Sequence, residues 1–159
     1  NEVKLQLTLR SYSENVRAHT IAAIKRICRG EAIAAGVPDD LLPIVTVAEE
    51  QFTPATYNDP TLTRRVRGAI TAWVGADNVK SIDPEMGGED FGLFSLDRKI
   101  PLTMFRVGAV DPAKYAESQR TGEPLPSLHS SKFAPLPEPT IKTGITAMTG
   151  AALDLLAKK

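Results

Sequence analysis

The chain has 159 residues, which suits one domain or parts of two, and its 42% hydrophobic and 24% charged residues are typical of a globular protein. Nineteen basic and nineteen acidic side chains cancel, which argues against nucleic acid or a membrane surface as a partner, because both require a basic excess. No apolar run approaches the roughly 20 residues needed to cross a bilayer. The single cysteine, Cys28, permits neither an internal disulfide nor a cysteine-based zinc site.

The first 51 residues predict a strand, a long helix and a second strand. Apolar and polar side chains alternate over residues 3–10, the period of a half-buried strand. Ser13 is a good helix N-cap, and apolar residues at helical spacing follow it until Gly30 or Gly36, before Val37-Pro38. Residues 42–51 are rich in β-formers and predict the second strand. Because the chain begins at Asn1 inside a predicted strand, without a methionine, we expect a truncation.

A linker and a second amphipathic helix come next. Residues 52–60 contain two prolines and an Asn-Asp pair, which favour a linker. Asp59 before Pro60 is a good N-cap with proline at the first helical position. The helix then carries an apolar stripe and ends at Gly75; the stripe consists of Leu62, Val66, Ile70 and Trp73.

The remainder predicts two more strands and a final helix. Residues 78–82 suit a short strand, and the continuous apolar run 100–107 suits a strand buried on both faces. Between them a glycine-rich turn leads into a short helix. Residues 110–139 form a long loop rich in proline. The final helix has one apolar face, made of Ile141, Ile145, Met148, Ala152 and Leu155.

Two segments have side chains suited to chemistry. In Gly87-Gly88-Glu89-Asp90 the glycines free backbone N–H groups at a helix start, an arrangement that can bind a substrate carboxylate or an oxyanion. The alternative is that the glycines only turn the chain and Asp90 only caps the helix. In the second segment, the imidazole of His129 suits zinc, manganese, nickel or cobalt. The alternative is an ordinary surface histidine.

These segments resemble a known family. Met86-Gly87-Gly88-Glu89-Asp90-Phe91, followed by Leu128-His129-Ser130, is similar to the closing half of the hippurate hydrolases. That family includes N-acyl-amino-acid amidohydrolases and, more distantly, aminoacylases and metallo-carboxypeptidases. Thr8-Leu9-Arg10-Ser11 looks like the second half of the family's lid, and Tyr57-Asn58-Asp59-Pro60 resembles the return into its catalytic domain.

The resemblance implies an α/β fold with an α+β lid portion. Residues 1–53 would be the second half of the lid and dimerisation domain. Residues 54–159 would be the carboxy-terminal segment of the catalytic domain, part of a two-layer or three-layer sandwich. The complete enzyme would hold two divalent ions (manganese, zinc, nickel or cobalt) and form a homodimer, and we expect it in the cytoplasm.

The resemblance also assigns residues to roles. His129 matches a metal-binding histidine, and Arg10 matches a lid arginine that helps hold the substrate carboxylate. Gly87 and Gly88 match a loop that faces the substrate, with Asp90 ordering that loop. Two features are expected to be misleading: the Glu49-Glu50 pair, which imitates a general base and a ligand, and Cys28. His19 is expected to be a partly exposed side chain on the lid helix.

In such enzymes two metal ions polarise the amide carbonyl and activate a water, and a glutamate transfers the proton to the leaving amine. The general base and the other ligands belong to a part of the family that no segment here resembles, so we expect no catalytic residue in this chain. The function implied is part of a metal-dependent hydrolase of N-acyl amino acids or small peptides, inactive as an isolated chain. The alternatives are a non-catalytic dimerisation module derived from that family and an unrelated α+β binding domain.

Overall fold

A computed structural model describes residues 2–157. The chain forms two compact units, the first from the segments that end at Tyr57 and span Asp83–Ile100, the second from Asn58–Ile82 and the segment that begins at Pro101. Over the described residues the α-helices are α1 (Glu14–Ala34), α2 (Pro60–Val74), α3 (Pro112–Thr121) and α4 (Pro137–Leu156). Short 3-10 helices lie at Asp39–Leu41, Glu49–Gln51, Ala76–Asn78 and Phe91–Ser95. None of the described helices is long and apolar enough to span a membrane.

The α/β fold with an α+β lid, predicted from the family resemblance, is wrong for this structure. Helices make up 51% of it, and the described residues contain no sheet. Their single isolated β contact is a parallel bridge between Asn58 and Leu102. The sandwich architecture is therefore replaced by helices joined by extended segments.

The four predicted strands fail because a strand needs a neighbour for its backbone groups and its apolar face. Residues 3–10 have the alternating pattern, yet Val3 is 89% and Leu5 83% exposed. The ends of two other predicted strands wind into 3-10 helices, at Glu49–Gln51 and Ala76–Asn78. Residues 3–10 have the alternation of a strand, but none of the described residues pairs with them as a neighbouring strand.

The segment 100–107 satisfies part of its backbone through a side chain. The Asn58 side chain donates from Nδ2 to the Met104 carbonyl at 2.8 Å, and its Oδ1 accepts from the Met104 N–H at 2.8 Å. The Asp59 N–H donates to the Leu102 carbonyl at 2.8 Å. A side-chain amide thus takes the place that a neighbouring strand would occupy.

In the first unit, Arg17 joins α1 to a later segment of the chain. Its guanidinium bonds Glu14 at 2.9 Å and Glu49 at 2.6 Å, and it lies 4.1 Å from the centre of the Phe52 ring. The bond to Glu49, and then the bond to Glu14, raise the pKa of Arg17. None of the residues of α1 is buried.

In the second unit, α2 packs on α4. The buried core consists of Val66 and Ile70 from α2 with Ala147 and Ala151 from α4. Gly150 is required at this contact, because a Cβ there would lie 2.6 Å from Cδ1 of Trp73. The two predicted helices are confirmed, and Leu62, Val66 and Ile70 of the predicted α2 stripe lie in or against the core, whereas Trp73 is 57% exposed. The apolar face predicted for the final helix is wrong as a buried face: Ile145 is 62% and Met148 60% exposed.

Proline and aspartate begin two helices of the second unit in the same way. Oδ1 of Asp59 accepts from the Leu62 N–H at 2.8 Å, which confirms the predicted N-cap of α2. Oδ1 of Asp111 accepts from the Ala113 N–H at 2.8 Å and begins α3. The prediction of one uninterrupted loop over residues 110–139 is therefore wrong, since α3 occupies its first third.

Candidate functional site

The glycine turn of the first unit lies against the side chain of Arg10. Nη1 of Arg10 donates to the Met86 carbonyl oxygen at 3.0 Å. A Cβ placed on Gly88 would lie 3.2 Å from the same nitrogen. Two segments 76 residues apart in sequence are therefore joined at one exposed point, where a guanidinium lies beside Gly88.

The turn continues into the 3-10 helix Phe91–Ser95, which confirms the short helix predicted there. The side chain that bonds its first backbone N–H is Glu89, whose Oε1 accepts from Phe91 at 3.0 Å. Asp90 occupies the N-cap position, but its side chain makes no capping bond. One five-residue 3-10 helix has little macrodipole, so any affinity of this turn for an anion depends chiefly on Arg10.

The 3-10 helix is held at both ends. Gly92 is buried, and a Cβ there would lie 3.0 Å from the Pro54 carbonyl oxygen, so only glycine fits without a shift. After the helix, Leu96, Asp97 and Arg98 all have positive φ, between 45° and 65°. The Arg98 guanidinium lies 4.5 Å from the centre of the Tyr57 ring. These contacts fix the chain on the carboxy-terminal side of the glycine turn.

His129 belongs to the second unit and lies in the turn between α3 and α4. The Ser130 N–H donates to the Ser127 carbonyl at 2.9 Å, and the Phe133 N–H to the Ser130 carbonyl at 3.0 Å. The imidazole is exposed. The turn holds its backbone in place and leaves the side chain accessible to solvent.

The residues present do not by themselves fit a two-metal centre. Over residues 2–157, no three side chains of histidine, cysteine, aspartate or glutamate are grouped so that they could hold a metal ion. Glu49, one of the pair that imitates a base and a ligand, bonds Arg17 instead. No chemical step can therefore be derived through a metal from this set of donors.

Two contributors to the glycine turn were not predicted. Met86 acts through its backbone carbonyl, a group that every residue has, so no sequence signal distinguishes it. The sequence favours Asp90 over Glu89 as the side chain that caps the short helix, because aspartate is the commoner cap. A carboxylate two positions before the first helical residue was the available signal. The roles predicted for Arg10, Gly87, Gly88, Asp90 and His129 stay predictions.

A protein-family model matches most of the chain. The family model described as peptidase family M20/M25/M40 matches residues 10–124. No solved structure matches the chain. The matched segment contains both Arg10 and the glycine turn, and it ends before His129.

Proposed function

The chain belongs to peptidase family M20/M25/M40, a family of metal-dependent hydrolases, and from that membership we propose that it is part of an enzyme that cleaves the amide bond of N-acyl amino acids or small peptides. Its own contribution is to bind the carboxylate of the substrate. The observation that carries the proposal is the contact of Arg10 with the glycine turn of the same unit.

A guanidinium suits this task for physical reasons. It keeps its charge at any physiological pH, and its planar N–H groups match the two oxygens of a carboxylate. Gly87 in the same turn leaves space for a ligand, since nothing lies within 4 Å of a Cβ built on it. An N-acyl amino acid offers one carboxylate next to the amide to be cleaved, so a bond at Arg10 would orient that amide.

His129 is proposed as one metal ligand of the complete site. A single imidazole cannot hold two ions, since catalytic zinc alone takes about three protein ligands. The proposal therefore requires further ligands and a general base beyond the donors described here. The chain alone is expected to hold little metal and to hydrolyse little substrate.

The test is binding of hippurate, compared with hippuramide, which lacks the negative charge. Nuclear magnetic resonance titration of the chain should show hippurate binding and at least about tenfold weaker binding of hippuramide, because a charge-assisted bidentate pair contributes about 1.5–3 kcal/mol. Arg10→Gln should abolish the preference, and Arg26→Gln, which alters an exposed arginine on α1 of the same unit, should preserve it. Equal binding of the two compounds would contradict the proposal.

Metal content measured on the same protein, equilibrated with manganese or zinc and desalted, tests the role of His129. Occupancy far below one ion per chain is expected. Occupancy of about two ions, together with hydrolysis of hippurate, would contradict the requirement for further ligands.

A further inference from the structure

The guanidinium of Arg10 is bonded along one edge only among the described residues, the edge that contains Nη1. The bond to the Met86 carbonyl uses Nη1, the terminal nitrogen on the same side as Cδ. The opposite edge of the guanidinium consists of Nε and Nη2, whose N–H groups are parallel. Among the bonds of the described residues, Arg10 makes none through this edge. It can therefore accept a carboxylate with two parallel hydrogen bonds.

The two glycines of the turn differ in what they face. A Cβ on Gly88 would lie 3.2 Å from Nη1 of Arg10, whereas a Cβ on Gly87 would meet nothing within 4 Å. Neither glycine has a positive φ, so alanine can adopt the backbone conformation at both positions. A side chain at position 88 would therefore press on Nη1 of Arg10, which would have to shift by a few tenths of an ångström.

We propose that Gly88 and the Met86 carbonyl are positioning residues for Arg10, which together turn its Nε–Nη2 edge outward to bind the substrate carboxylate through two hydrogen bonds. The proposal rests on the proposed function for the identity of the ligand. It adds the orientation of that ligand and a reason why one glycine of the pair matters more than the other.

A side chain at position 88 should displace Arg10 without unfolding the unit. The atom that would be contacted is the far end of a long, exposed side chain, which can move aside at small cost. A shift of a few tenths of an ångström at Nη1 should lengthen and weaken its 3.0 Å bond to Met86, so that the guanidinium regains part of its rotational freedom. Binding then has to order the side chain again, which weakens it.

The experiment compares Gly88→Ala with Gly87→Ala in the full chain by nuclear magnetic resonance of the arginine Nη–H groups at low temperature. Without ligand, Gly88→Ala should move the Arg10 Nη1–H signal toward that of free arginine, and Gly87→Ala should leave it in place. In titrations with hippurate, Gly88→Ala should raise Kd about threefold, and Gly87→Ala should change it by less than about twofold. Arg10→Lys retains the charge but has no parallel edge, and it should weaken binding at least as much as Gly88→Ala.

The two measurements separate the two proposals. If the Arg10 signal responds equally to both alanine variants, or to neither, the positioning role is refuted whatever binds. If the signal responds to Gly88→Ala alone but hippurate binds no better than hippuramide, the positioning contact stands and the proposed function fails. If Arg10→Lys binds hippurate as well as the unaltered chain, the two-bond orientation is wrong.

Discussion

The helices α1 and α2 begin from the same kind of sequence pattern and end in different environments. Each has apolar residues at helical spacing, and each forms over the predicted residues. Helix α2 buries Val66 and Ile70 against α4, whereas α1, although six residues longer, buries none of its side chains. Periodicity thus identifies the face that a helix can bury, and a complementary surface decides whether burial occurs.

The complementary surface of α4 is made of small residues. Ala147, Gly150 and Ala151 are the buried positions of α4, and they allow α2 to approach closely enough for Trp73 to lie over the glycine. Helix α1 buries no residue against the described residues of its unit, and the contacts of Arg17 are polar or aromatic. Arg17 bonds Glu14 and Glu49 at the surface, where ion pairs contribute little to stability.

The largest expected effect comes from removing the same side chain from each helix. Ile70 is 8% exposed in α2, and Ile27 is 55% exposed in α1. Ile70→Ala should lower the free energy of unfolding of the second unit by roughly 2–5 kcal/mol, because it removes buried contacts and leaves a cavity. Ile27→Ala should change that of the first unit by less than about 0.5 kcal/mol. Hydrogen exchange of the backbone amides measures both, helix by helix.

The same two variants also test the difference in burial between α1 and α2. If Ile27→Ala cost as much as Ile70→Ala, α1 would be covered in solution by a surface that the described residues do not provide. If Ile70→Ala cost little, the contact between α2 and α4 would not be the main source of stability in its unit. A third variant, Ile141→Ala in α4, removes an exposed isoleucine from the same unit as Ile70 and should have little effect.

A smaller effect is expected from two glycines of α4. Gly150→Ala places a Cβ 2.6 Å from the Trp73 ring, whereas a Cβ on Gly144 would lie 4.0 Å from Cγ2 of Val107, an ordinary contact. Gly150→Ala should destabilise the second unit by about 1–2 kcal/mol in spite of the better helix propensity of alanine. Gly144→Ala should stabilise it by about 0.5–1 kcal/mol for that same propensity. Urea unfolding followed by fluorescence of Trp73, the single tryptophan, measures both; equal effects would contradict the close packing.

The helices could be predicted from the sequence because their signals are local. Asp59-Pro60 predicted the start of α2 and Gly75 its end, and both are confirmed. The same signal at Asp111-Pro112 did not lead to a predicted helix, because the residues of α3 form no apolar stripe. The structure agrees with that pattern, since α3 buries none of its residues. Whether the alternating segments form strands could not be predicted in this way, since a strand depends on a partner distant in sequence. Residues 3–10 have the right alternation and no partner among the described residues.

The candidate site was predictable only in part, for a related reason. Glycines and a charged side chain can be recognised in a sequence, so Arg10, Gly87 and Gly88 were singled out. Their contact depends on a carbonyl of Met86, 76 positions away from Arg10. The space at Gly88 differs from that at Gly87 because the end of the Arg10 side chain lies beside Gly88. Neither fact has a local signature, so both required the structure.

The smallest effect concerns how the two helices begin. Asp59 accepts a hydrogen bond from the Leu62 N–H at 2.8 Å, whereas Ser13, the predicted N-cap of α1, occupies that position without a side-chain bond to the helix. Asp59→Ala should therefore cost about 1 kcal/mol of the second unit's stability, the usual value of a working cap. Ser13→Ala should cost only a few tenths of a kcal/mol in the first unit. Hydrogen exchange in the first turn of each helix distinguishes the two, since loss of a cap increases exchange there first. A large effect of Ser13→Ala would mean that its hydroxyl caps α1 in solution, and the contrast between the two helices would then lie in their packing alone.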